Sequence, residues 1–197
     1  MHKNKFVFSF SLFITCLIFP SFLKGQEYKP KRDHIKGTII LKDSTVLEGY
    51  IKKSLLNNSQ RIIYFSKDGE KKKYAPSHVA RFSMGIEYIS ALSCFMEILF
   101  EGDKVSVYRY EKTNWMSSSI PTSGGMYSIP FPMETTKYYV KKNSQLKPQE
   151  VKKKKFKVVF AEYFKECPEV AKKIVTKEYK RLDIKQIAEE YDSCITD

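Results

Sequence analysis

The sequence predicts an α+β fold, an antiparallel β domain followed by a three-helix C-terminal cap, and three observations carry that expectation. From Ile35 to Lys142, apolar residues recur in short period-two runs separated by turn residues. From Pro148 onward the apolar period becomes helical. The 197 residues are 42% hydrophobic and 14% aromatic, enough for a core and too much for disorder.

The N-terminus comes first because it sets the compartment. Lys3 and Lys5 precede the apolar run Phe6 to Phe19, which Pro20 closes. That run suits a secretory signal and is too short to span a bilayer of about 30 Å hydrocarbon. Residues 1–25 are therefore expected to be a signal peptide cut after Gly25, leaving Gln26 first. Cys16 lacks the small preceding residues of a lipidation site, since Ile14 and Thr15 stand there. The expected destination is the periplasm or the cell exterior, with no transmembrane segment in the mature chain.

Residues 26–34 lack periodicity and read as a flexible lead-in to the β domain at 35–142. IKGTIILKD (35–43) and TVLEGYIKK (45–53) meet at Asp43-Ser44. RIIYFSK (61–67) and EKKKYAP (70–76) flank Asp68-Gly69, a hairpin signal because both positions tolerate positive φ. A strand is expected around Phe82. Residues 93–100 alternate, with Met96, Ile98 and Phe100 on one face and Phe95, Glu97, Leu99 and Glu101 on the other. Gly102-Asp103 turns the chain into KVSVYRYEK (104–112), and TTKYYVKKN (135–143) could pair with it. Whether the strands make a partly open barrel or two small sheets stays open.

Between these strands, residues 113–134 are rich in Ser, Gly, Pro and Met and read as a long loop. Its apolar side chains either fold back as a lid or form a contact surface.

The cap is expected at 148–197. Phe156, Val159, Phe160 and Tyr163 at i, i+3, i+4 and i+7 predict one helix over about 149–165. Pro168-Glu169 starts a second helix, and Asp183 with Gln186 a third bearing Ile184, Ile187, Ala188 and Tyr191 on one face.

Chemistry-bearing constellations are sparse. Cys167 and Cys194 both lie in the cap, so an oxidising compartment favours a bridge between them. Cys94 begins an apolar strand, where a lone thiol packs as a small hydrophobe. His34 and His78 are isolated and read as surface or turn residues, so no metal site and no cofactor are expected. No G-x-S-x-G or C-x-x-C occurs, and Glu97 and Glu101 read as a solvated face. Tyr108, Tyr110, Trp115 and Tyr138 are the expected ligand-binding residues, an aromatic strip with polar tips suited to carbohydrate or peptide contact.

The net charge of +13 comes from 35 basic against 22 acidic residues. Most of the basic residues are Lys, a hydrated point charge without the bidentate fork of Arg. Nucleic acid is thus an unexpected partner, and the runs at 71–74 and 152–155 read as solvated faces.

Gly37, Gly49-Tyr50-Ile51, Tyr74-x-Pro76 and Phe82 open a longer pattern. It continues with Phe95-x-Glu97-Ile98-Leu99-x-Glu101-Gly102, Val105, Tyr108-x-Tyr110 and Tyr138-Tyr139-Val140-Lys141-Lys142. It ends on Phe164-x-Glu166-Cys167-Pro168 and Tyr191-Asp192-x-Cys194. Together these residues resemble a group of uncharacterised secreted proteins of Bacteroidota, whose members usually carry Asn where Asp192 stands. The resemblance implies export and architecture and carries no activity.

The expected function is a non-catalytic binding or cell-envelope-associated module. Its partner would be an envelope protein, a peptide or an anionic glycan surface. A hydrolase or other enzyme with an unrecognised site is the alternative.

Overall fold

The computed structural model describes residues 28–53 and 61–196, so the expected signal segment 1–25, Gln26 and the connection at 55–60 lie outside it. The strands are β1 (His34–Leu41), β2 (Val46–Lys52), β3 (Ile62–Phe65), β4 (Lys71–Tyr74), β5 (Val79–Ser83), β6 (Glu87–Ala91), β7 (Cys94–Glu101), β8 (Val105–Thr122), β9 (Gly125–Lys142) and β10 (Gln149–Glu150). The helices are α1 (Phe156–Tyr163), α2 (Pro168–Val175) and α3 (Ile184–Thr196).

The strands form one open antiparallel sheet, ordered β10-β9-β8-β7-β6-β5-β1-β2-β3-β4. It is not closed into a barrel. Two meanders join where β5 returns to the free side of β1, pairing Ile39 with Phe82. The turn signals place the hairpins: Gly69 takes φ 84 between β3 and β4, where a side chain would be strained. The KKKY run forms β4, the outermost strand, and lysines there discourage pairing with another chain.

The helices pack on the β7–β9 end. Val105, Val107 and Val140 meet Phe156, Phe160, Phe164, Val170, Ile174, Ile187 and Tyr191 in one buried cluster. A second cluster around Ile39, Ile51, Ile62 and Phe82 serves β1–β5. Cys167 is bonded to Cys194, tying the start of α2 to α3. Cys94 is free, half-buried, and donates to the Ala91 carbonyl at 3.2 Å.

Five expectations need correction. Residues 113–134 are not a loop but the outer part of the β8–β9 hairpin, paired without interruption from Val105↔Lys142 to Thr122↔Gly125. The first helix spans Phe156–Tyr163 rather than 149–165, because Gln149 and Glu150 pair with β9 and Lys155 turns the chain at φ 61. Four lysines at 152–155 would oppose the helix dipole, and the helix starts only after them.

The lead-in is anchored at Tyr28, whose ring stacks on Phe65 at 5.4 Å, while residues 29–32 are exposed. His34 is buried rather than superficial, stacked on Phe65 at 4.3 Å with the Tyr28 hydroxyl 2.5 Å from Nδ1. A bulge between Ile98 and Phe100 breaks the alternation of β7 and turns Glu97 and Glu101 to opposite faces. Arg109 holds Glu97 at 2.6 Å and Arg81 holds Glu101 at 2.6 Å, so each carboxylate is ion-paired.

Candidate functional site: the protruding hairpin

β8 and β9 run together for eighteen pairs, but β7 accompanies β8 only as far as Arg109. β10 adds no more than two residues to β9. The outer ten pairs, Thr113↔Glu134 to Thr122↔Gly125, therefore project from the sheet as a free two-stranded finger. At about 3.3 Å per residue it is roughly 30 Å long. From Thr113 to Met133 it contains no charged residue.

Register divides the finger into two unlike faces, because directly opposed residues share a side. The pairs Asn114↔Met133, Met116↔Phe131, Ser118↔Ile129 and Ile120↔Tyr127 make the first. Six of its eight side chains are large and apolar. Trp115↔Pro132, Ser117↔Pro130, Ser119↔Ser128 and Pro121↔Met126 make the second, which is mostly small or polar.

The three prolines share one ladder class. Pairing continues past residues that have no N–H to give, so these positions must be the ones whose amide would point away from the partner strand. Pro130 and Pro132 thus remove two donors from the outer edge of β9 and blunt it against strand addition.

The finger's apolar side chains are open to solvent. Met126 is 74% exposed, Tyr127 67% and Trp115 64%, with Met116, Ile120, Ile129, Phe131 and Met133 also exposed. At about 200 Å² for a fully exposed large side chain, the six on the first face present about 600 Å², and Trp115 and Met126 on the second about 280 Å². The first face alone stands at the upper end of the roughly 300–600 Å² of the largest patch on an ordinary monomer, a patch that is often functional. This settles the choice left open for the segment: it does not fold back as a lid.

The four-residue strip does not form. Tyr108 and Tyr110 share one face, but Tyr138 opposes Arg109 and lies with Trp115 on the other. Tyr108 is only 5% exposed, clustered with Met96 and Tyr139. Burial pushes the Tyr108 hydroxyl up and that of Tyr139 to about 12. Tyr138 lies under the Arg181 guanidinium at 5.5 Å. Of the four, Trp115 alone is a fully presented surface ring. What sequence reasoning missed was the alternation of Tyr127, Ile129, Phe131 and Met133 beside Gly124-Gly125, which marks a strand despite its prolines.

The remaining polar constellations tie elements together. Glu166 accepts hydrogen bonds from the Tyr191 hydroxyl and from Lys142 Nζ (2.9 Å), joining α3 to β9. These contacts hold its carboxyl below the usual range. Tyr163, pushed up to about 12 by burial, donates to Gln145 (2.6 Å) and accepts the Lys142 amide (2.9 Å). Glu190 receives Lys173 Nζ at 2.8 Å and the Tyr179 hydroxyl.

The Asp192 carboxylate accepts the amides of Asp103 (3.1 Å), Lys104 (2.7 Å) and Val105 (3.1 Å), closing the β7–β8 turn from below. Lys152, Lys154 and Lys155 line an open cleft of about 540 Å³ over Val159 and Phe160. Among the described residues no three His, Cys, Asp or Glu side chains gather as a metal centre.

The class defined by this geometry is an α+β protein with segregated helices and a projecting apolar hairpin. Comparison with family models, with curated proteins and with solved structures finds no match to the chain.

Proposed function

We propose that the protein is an exported, non-catalytic binding module that attaches to the cell envelope through the outer half of its β8–β9 hairpin. The observation that carries this reading is the finger itself, uncharged from Thr113 to Met133 and bearing six exposed large apolar side chains on one face. Such a surface is a solubility cost unless something covers it. The signal-like N-terminus and the basic charge support an envelope destination.

The test places carboxylates on the finger, as Ile129→Asp with Phe131→Asp, in the native host. Both side chains are exposed, so the urea midpoint should stay within about 0.5 kcal/mol of wild type. Retention in the envelope fraction should fall about tenfold or more, each apolar contact being worth on the order of 1 kcal/mol. Unchanged retention of the folded variant overturns the reading.

A further inference from the structure

We infer that the partner of the hairpin is an anionic phospholipid surface, on which the finger lies flat with its Met116–Phe131 face inserted among the lipids. This rests on the binding role proposed above and specifies what is bound.

The face bearing Met116, Ile120, Tyr127, Ile129, Phe131 and Met133 continues toward the sheet through Lys112 and Lys137, then Lys141. Lys112 and Lys137 border the root of the apolar face, and Lys141 stands about 13 Å further along the same face, beyond the Tyr108–Tyr139 pair. Among the acids of β8, β9 and β10, Glu111 and Glu134 lie on the opposite face, and Glu150 stands beside Lys137 at 3.7 Å. The opposite face carries Ser117, Ser119, Ser128 and three prolines toward water. An apolar strip with a basic border and a polar back is the arrangement by which an amphipathic element binds an anionic interface.

Two other occupants fit worse. A second copy carries the same strongly positive net charge and meets it with repulsion, and Pro130 and Pro132 deny it the β9 edge. A spanning orientation would put the outward amides of β8 into hydrocarbon without partners, whereas lying at the interface leaves them hydrated.

The chain contains one tryptophan, Trp115, and it lies on the polar face. Two single-tryptophan proteins therefore report the two sides: wild type, and Trp115→Phe combined with Phe131→Trp. Each is mixed with phosphatidylglycerol-containing vesicles and with pure phosphatidylcholine vesicles. Far-UV circular dichroism confirms the fold of both.

On anionic vesicles the indole at position 131 should shift to the blue and be quenched by brominated acyl chains, while the wild-type emission stays near its value in water. Binding should be about tenfold or more tighter than to neutral vesicles, and should weaken with salt. Absence of a shift at position 131, or equal shifts at both positions, overturns the inference. So does a lipid-independent shift at 131 that grows with protein concentration, which marks self-association. If vesicles fail while Ile129→Asp/Phe131→Asp still abolishes envelope retention, the partner is a protein and only this inference falls; if retention is also unchanged, the binding role falls with it.

Discussion

Asp192 offers the sharpest test of how the helical cap is fastened to the sheet. One carboxylate receives three consecutive amides of the β7–β8 turn, two on Oδ1 and one on Oδ2. Gly102 makes the approach possible, since a Cβ there would lie 2.4 Å from the Asp192 Cγ. Hydrogen bonds to a charged acceptor each contribute roughly 1–2 kcal/mol at a partly exposed site. Asp192→Ala should therefore cost about 2–4 kcal/mol.

Asp192→Asn should cost less, about 1–2 kcal/mol. Its Oδ1 keeps the Lys104 and Val105 amides, while its amide nitrogen faces the Asp103 N–H with a donor. Gly102→Ala should be costly in wild type and mild beside Asp192→Ala, because the clash disappears with the carboxylate. Urea unfolding of the four proteins in this cycle reads the coupling. Strictly additive costs for Gly102→Ala and Asp192→Ala would refute the reasoning, as would an Asp192→Ala penalty under about 0.5 kcal/mol.

Three further outcomes follow from the packing. Tyr108→Ala should cost about 3 kcal/mol because the ring is buried, whereas Trp115→Ala should leave the urea midpoint nearly unchanged. Serine at both Cys167 and Cys194 should lower stability by about 3.5 kcal/mol, from opening a loop of sequence separation 27. For Glu166, Tyr191 and Lys142 hold the folded-state pKa below the ordinary 4.5. That contribution is present above the unfolded value and is lost as pH falls through the folded one. Glu166→Gln should thus be less stable than wild type at neutral pH, with the gap closing below about pH 4.5, as read by denaturation at each pH.

Much of the architecture was legible because its signals are local. Asp68-Gly69 marked a hairpin by backbone tolerance, and the 3.6 period marked the C-terminal helices. The shared place of Cys167 and Cys194 in the cap marked their bridge. The boundary of α1 was less legible: Phe156, Val159, Phe160 and Tyr163 carry the period, but Gln149 and Glu150 are claimed by a strand more distant in sequence. The bulge after Ile98 depends on pairing with β8 and leaves no trace in the period of β7.

The finger was misread for a definite reason. Pro121, Pro130 and Pro132 argue against a strand wherever every amide is needed. Here they occupy one ladder class at the outer edges, where no amide is needed. The partnership of Tyr138 with the wrong face followed from the same omission, since the β8–β9 register fixes which rings share a side.

The account rests on the finger being an appendage to the fold and the means of attachment. The most direct measurement replaces residues 113–134 by a two-residue Asn-Gly turn between Lys112 and Thr135, which already oppose one another, and follows envelope retention beside the unfolding midpoint. The account predicts a protein whose midpoint matches wild type and whose envelope retention is lost. A shortened protein that unfolds at much lower urea, or one that stays with the envelope, would contradict it.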